Sequence, residues 1–118
     1  MATEADVHRL ALALPGVVAA EKHGQRHYAV DGKSIAWDYL AREKPKTPRV
    51  RQPGIMAIRC PLPEKEMLVE AAPEIYFDDD HYRDFPGVLV RLAAIEEAEL
   101  KARLARAWEI QAPKRRKG

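Results

Sequence analysis

The fold is indicated most strongly by residues 77–92, which read FDDDHYRDFPGVLVRL. This stretch begins as a polar turn, passes a Pro-Gly corner and ends in the apolar run Val88-Leu89-Val90. A short apolar run that is bounded by turn residues is typical of a strand buried on both faces. We therefore predict that this strand lies at the middle of a sheet, with a chemically dense polar turn at its start.

Three helices are predicted around this sheet. Val7, Leu10 and Leu14 recur at helical spacing, and Thr3 stands before them as a potential N-cap. Similar apolar stripes mark the other two helices. Their ends are indicated by prolines, because a proline is tolerated in the first turn of a helix and otherwise tends to end the helix before it. The predicted helices span Thr3–Leu14, Glu64–Ala72 and Ala94–Gln111.

Between the first two helices the chain predicts strands and one hairpin. Asp31-Gly32 separates two alternating runs, which is a strong hairpin signal because this turn requires positive φ angles. Tyr28 and Val30 should then share one face of the first strand, and Ile35 and Trp37 one face of the second. The proline-rich segment 42–54 predicts an exposed loop before the strand at residues 55–59. The fold class is therefore α+β: one antiparallel sheet flanked by N-terminal, middle and C-terminal helices.

Length and composition fit one domain, predicted at residues 1–112, followed by a basic tail at 113–118. The net charge of +2 hides an asymmetry, because segment 42–51 and the tail each carry +4 and leave a body of −6. No apolar run approaches the ~20 residues of a membrane span. The single cysteine, Cys60, and the lack of a signal peptide predict a cytoplasmic protein with no membrane association.

Several motifs, taken in their order, resemble the MmcQ/YjbR family. They are the sequence LALPG that closes the first helix, the turn at Gly24, the His81-Tyr82 pair with the strand after it, and Ala107-Trp108 near the end. The resemblance covers about residues 3–115. It implies a small α+β domain of a double-wing DNA-binding type without a catalytic constellation. The segment 42–54 departs from the family pattern, since it is longer, more basic and richer in proline.

One candidate site is a ligand cleft around the polar turn. It would bind a small ligand or a protein partner, and the alternative is that the turn only satisfies its own backbone groups. The aspartates at 78–80 and the histidines at 23 and 27 lack the spacing of a metal site, and Cys60 and Ser34 lack a nucleophile context. We therefore expect no cofactor, no metal and no enzymatic activity. The residues proposed for the cleft are Trp37, Arg59, His81, Tyr82 and Trp108.

The other candidate site consists of the two basic segments, which could follow phosphate groups or could simply be solvated. Neither segment contains the aromatic residues that would stack on single-stranded bases. The favoured prediction is a DNA-binding module with weak sequence preference, and the oligomeric state is left open. The residues proposed for nucleic-acid contact are Arg42, Lys44, Lys46, Arg49, Arg51, Lys114, Arg115 and Arg116.

Overall fold

A computed structural model describes residues 1–113 and confirms the α+β class. Its sheet has the strand order β1-β2-β3-β4-β6-β5, and every neighbouring pair is antiparallel. The helices are α1 (Glu4–Leu12), α2 (Leu62–Ala71) and α3 (Glu97–Gln111). The strands are β1 (Val17–Lys22), β2 (Gln25–Val30), β3 (Lys33–Arg42), β4 (Arg49–Arg59), β5 (Tyr76–Phe77) and β6 (Gly87–Arg91).

The three predicted helices are present: α3 ends at Gln111 as predicted, and the other five helix ends differ by one to three residues. Thr3 is the N-cap of α1, and its side chain and that of Asp6 form a reciprocal capping box. Helix α1 ends earlier than predicted, at Leu12, ahead of the Pro15-Gly16 corner. Helix α3 begins at Glu97 rather than Ala94, because Leu92–Ala94 forms a separate 3-10 turn after β6.

The apolar strand β6 is not at the middle of the sheet, so that prediction is wrong. It is the fifth of six strands, beside the short edge strand β5. Val88 and Val90 are buried on the face covered by the helices, and Leu89 is buried on the opposite face. A continuous apolar run indicates that both faces of a strand are buried, but it does not indicate where the strand lies in the sheet. Here both faces of β6 are covered although it lies next to the edge strand.

A β-bulge overturns the predicted alternation in β3. The Asp31-Gly32 turn forms as expected, with φ angles of 51° and 75°. However, Tyr28 pairs with Ala36 while Ala29 pairs with Ser34, which leaves Ile35 as an extra residue. Ile35 therefore packs with the helix-side core and Trp37 with the opposite face, although they are two residues apart.

The predicted exposed loop at 42–54 is instead largely a long hairpin, so this prediction is also wrong. Strand β3 continues to Arg42 and β4 starts at Arg49, which leaves residues 43–48 as the connection. A second irregularity lies near Pro53: Asp38 pairs with Met56 and Leu40 with Arg51. The prolines suggested a loop, but a bulge accommodates a proline because its residues need not donate to the strand ladder.

The sheet buries apolar residues on both faces. Helices α1 and α3 cover one face over the larger core, which includes Ile35, Met56 and Leu104. Within residues 1–113 no helix covers the other face, which carries a smaller core beneath the segment 78–86. This second core consists of Trp37, Tyr39, Ala57, Tyr82 and Leu89.

Replacing Leu89 by alanine tests whether the smaller core is packed. Leu89 is fully buried, so truncation should lower the free energy of unfolding by about 2–5 kcal/mol through lost burial and the cavity that remains. Leu62→Ala is the matched control, because Leu62 is 38% exposed and its truncation should cost roughly 0.5 kcal/mol or less. Urea unfolding of both variants measures the difference, and equal losses would contradict a packed second core.

Candidate functional site

The side chain of Lys65, on α2, holds residues 78–86 (the 78–86 loop) over the helix-free face of the sheet. Lys65 is 2% exposed. Its ammonium donates to the backbone carbonyls of Tyr82 and Phe85, the latter at 2.8 Å, and lies 3.1 Å from the Asp78 carboxylate. Three oxygen partners compensate the cost of burying this charge. Lys65 thereby fixes the position of the loop, a role that the sequence did not reveal.

Three of the four aspartates of the loop have structural partners. Asp79 accepts a hydrogen bond from the backbone N–H of Tyr82 at 2.8 Å and another from the hydroxyl of Tyr39. Asp80 forms an ion pair with Arg83, and Asp78 is occupied by Lys65. Within residues 1–113, no three acidic, cysteine or histidine side chains converge in a way that could hold a metal ion. The aspartates therefore shape the loop.

A cleft of about 480 Å³ opens between this loop and strands β2, β3 and β4. Four of the five predicted cleft residues line it, and His81 stands at its exposed side. The sequence did not identify the other four lining residues, because the bulge at Ile35 and the position of the loop bring them together. The lining residues are Gln25, His27, Ser34, Trp37, Arg59, His81, Tyr82 and Phe85.

Trp108 does not line this cleft, so its assignment there is wrong. It lies on α3, on the other side of the sheet, and its indole N–H donates to the backbone carbonyl of Pro15 at 2.7 Å. The indole thereby ties the last helix to the corner after α1. Sequence spacing could place Trp108 on the apolar side of a helix but could not say which face of the sheet that helix covers.

Arg59 is the cation of the cleft. Its guanidinium carbon lies 5.4 Å from the ring centre of Trp37 and 5.0 Å from that of Phe85, within the range of cation–π contact. Its buried Nε has no hydrogen-bond partner among the described residues. Burial lowers the pKa of Arg59, but an arginine remains charged at neutral pH. The cleft thus contains a permanent positive charge beside aromatic rings.

Apart from His81, the remaining polar side chains of the cleft are hydrogen-bonded. The amide nitrogen of Gln25 donates to the backbone carbonyl of Asp38 at 2.9 Å, which turns its oxygen toward His27 Nε2, also at 2.9 Å. His27 Nδ1 lies 3.3 Å from the hydroxyl of Ser34. Deeper in the cleft, the indole N–H of Trp37 donates to the Tyr82 hydroxyl at 2.9 Å. These bonds hold the walls of the cleft in place.

The outer end of the β3–β4 hairpin, residues 42–49, is the second candidate surface and is called the hairpin tip below. It carries four exposed cations and one acid, Glu43. None of the four has an ion-pair partner within residues 1–113. The Thr47 hydroxyl donates to the backbone carbonyl of Lys44, which closes the turn. The four cations are Arg42, Lys44, Lys46 and Arg49.

Arg51, the fifth predicted cation of this segment, is part of an internal ion-pair network. Its Nε lies 3.3 Å from the Asp38 carboxylate, and its Nη2 contacts the Glu4 carboxylate. Arg26 contacts both of the same carboxylates, and the backbone N–H of Gly54 donates to Glu4 at 2.9 Å. The network joins the start of α1 to the bulge in β4. The three tail cations Lys114, Arg115 and Arg116 lie outside the described residues.

Cys60 is 3% exposed at the end of β4. Burial raises the pKa of its thiol, which favours the protonated and unreactive form. The backbone N–H of Cys60 donates to the carbonyl of Pro86 at 3.0 Å and so helps to anchor the 78–86 loop. Cys60 is therefore a buried residue with a structural role.

Comparison with known proteins gives one family and a small group of relatives. The sequence model of the YjbR family matches residues 12–110. The chain is 33% identical over 121 residues to the uncharacterized protein Mb2600 of Mycobacterium bovis and to the uncharacterized protein Rv2570 of Mycobacterium tuberculosis. Each match covers 97% of this chain and 92% of the relative. No solved structure gives a significant match. The described helices include none with the length and apolar character needed to cross a membrane.

Comparing Arg51→Met with Arg49→Met tests whether Arg51 is structural. Loss of Arg51 leaves the nearly buried Asp38 with fewer partners, so the free energy of unfolding should fall by about 1–3 kcal/mol. Arg49→Met removes an equal charge from an exposed position and should change stability by roughly 0.5 kcal/mol or less. Urea unfolding at low and high salt measures both, and equal effects would count against the network.

Replacing Lys65 by methionine tests the anchor of the loop. The substitution leaves two backbone carbonyls and the Asp78 carboxylate without their donor, so we expect a loss of about 2–4 kcal/mol in unfolding free energy. Lys101→Met, at an exposed position on α3, is the control. Amide hydrogen exchange should be faster in the 78–86 loop of the Lys65 variant. A stable variant with an unchanged loop would contradict this role.

Proposed function

The chain belongs to the YjbR family, and from that premise we propose that it is a cytoplasmic, non-catalytic nucleic-acid-binding module that works through phosphate contacts. The single observation that carries the proposal is the hairpin tip. Its four cations are exposed and have no carboxylate partner among the described residues, whereas five of the other eight arginines within residues 1–113 pair with carboxylates. Unpaired cations on a projecting element are the groups that can replace the counterions of a nucleic acid.

The shape of the tip supports contact with a duplex. A two-stranded β-ribbon fits the major groove of B-DNA, which is about 12 Å wide. Strands β3 and β4 remain paired out to Arg42 and Arg49, so these two side chains project from a defined ribbon. Lys44 and Lys46 lie on the turn between them.

The composition of the tip favours weak sequence preference. It carries no Asn or Gln, residues that pair with adenine, and no aromatic ring for stacking on bases. The acidic body of the domain opposes approach to a polyanion, so the tip and the tail must supply the attraction. Arg51 already forms ion pairs with Glu4 and Asp38. The cations proposed to contact phosphates are therefore the four of the hairpin tip and those of the tail.

The salt dependence of binding tests the proposal. If about four cations contact phosphates, log affinity should fall against log salt with a slope of about −3.6, a loss of roughly a hundredfold between ~50 and ~200 mM salt. Replacing Arg42 and Arg49 together by alanine should flatten the slope by about two units. Deleting residues 114–118 should flatten it separately. Electrophoretic mobility shifts with duplex and single-stranded DNA measure each slope.

The control variant Lys33→Ala/Lys101→Ala removes the same charge from exposed positions outside the tip. It should leave the slope within about half a unit of the parent value, because neither lysine lies on the proposed contact surface. Arg51→Met should also leave the slope unchanged. The proposal fails if the parent protein does not shift DNA at low salt, or if the tip and control variants lose affinity equally.

A further inference from the structure

We propose that the cleft beneath the 78–86 loop is a binding site for a small planar organic anion, whose carboxylate or phosphate pairs with Arg59. This site lies outside the proposed nucleic-acid surface and does not depend on it. The ring of the ligand would lie against Phe85 and His81, the two most exposed aromatic side chains of the cleft.

The first argument is the state of Arg59. A guanidinium carries several N–H donors, and a buried donor without an acceptor is costly. The side chain of Arg59 makes no hydrogen bond and no ion pair with any described residue, and its Nε is the one buried side-chain nitrogen or oxygen without a partner in residues 1–113. By contrast, Arg26, Arg51 and Arg106 each have a carboxylate partner. A charge kept unpaired in a cleft indicates that its partner comes from outside the chain.

The second argument is that the other polar side chains of the cleft, apart from the exposed His81, are already hydrogen-bonded. Gln25, His27 and Ser34 form one hydrogen-bonded chain, and Trp37 donates to Tyr82. These bonds leave the Arg59 guanidinium as the group with the most unused donors. An acceptor-only group such as a carboxylate or phosphate matches a guanidinium, and a planar carboxylate can accept two parallel bonds.

The third argument is the size and surface of the cleft. Its volume of about 480 Å³ lies within the range of about 300–1,000 Å³ typical of small-molecule sites. Tyr82 lies at the centre of an aromatic cluster, with ring centres of His81 at 5.3 Å and Phe85 at 5.6 Å. Phe85 is 38% exposed beside the guanidinium. An apolar ring carrying an anionic group would cover this exposed surface and neutralise the charge.

The fourth argument is that the cleft is preformed. Lys65 holds the carbonyls of Tyr82 and Phe85, Asp79 holds the Tyr82 N–H, and Cys60 binds Pro86 through its backbone. A ligand therefore would not have to order the loop, which removes a cost of binding. Arg59 and Arg49 lie at opposite ends of β4, roughly 30 Å apart at 3.3 Å per residue, so the two proposed sites can be tested separately.

The experiment uses Trp37 as the reporter. In the variant Trp108→Phe the sole remaining tryptophan is Trp37, which lies in the cleft. Its fluorescence is titrated with benzoate and phenyl phosphate, and with neutral benzamide and inorganic phosphate as matched probes. The Arg59 Nε–H resonance is followed by NMR in the unmodified chain. We expect saturable binding of the two aromatic anions with a dissociation constant of about 1 mM or below, and binding at least tenfold weaker for the other two probes.

Two variants distinguish direct pairing of the ligand with Arg59 from a general effect of positive charge near the cleft. Arg59→Met should weaken binding of both aromatic anions at least tenfold while leaving the DNA salt slope unchanged. Arg83→Met removes a charge from the same loop outside the cleft lining and should bind as the parent does. Near-ultraviolet circular dichroism checks the fold of each variant. Equal binding of benzamide and benzoate, unchanged binding by a folded Arg59→Met variant, or no saturation by ~10 mM probe would each overturn the proposal.

Discussion

The buried ammonium of Lys65 is the interaction on which the helix-free side of the domain depends. A lysine charge leaves water only where oxygen atoms replace its hydration, and here two carbonyls of the 78–86 loop and the Asp78 carboxylate do so. The same contacts hold the loop against the sheet. Tyr82 is thereby positioned to accept the indole N–H of Trp37, and Phe85 lies beside Arg59. The second core and the cleft are both consequences of this anchored loop.

The arginines of the chain show how environment assigns different roles to one residue type. Arg51 and Arg26 bridge Glu4 and Asp38, which attaches α1 to the irregular part of β4. Arg42 and Arg49 pair with each other two residues further out along the same hairpin, where no described carboxylate reaches them. Arg59 lies at the far end of β4 between aromatic rings. Charge counted along the sequence could not separate these roles, because each depends on which acids the fold brings near.

Much of the fold could be predicted from local signals, and the errors have identifiable causes. The capping residue Thr3, the Asp31-Gly32 turn and the Pro63 near the start of α2 act within a few residues, so their effects are visible in the sequence. Two of the errors arose at bulges. One extra residue at Ile35 moved Trp37 to the other face, and the irregularity near Pro53 allowed a strand where prolines suggested a loop. A bulge depends on the register between two strands, which a single strand does not encode.

The sequence by itself determined the α+β class, the three helices, the buried character of β6 and four of the eight residues that line the cleft. Those features follow from periodicity, turn chemistry and apolar runs, which operate over short distances along the chain. Only the tertiary structure decided that Lys65 is buried, that Trp108 lies on the other side of the sheet from His81, and that Arg51 is paired whereas the Arg59 side chain has no partner among the described residues. The physical reason is that burial and charge pairing depend on residues far apart in sequence, so they are set when strands and helices pack.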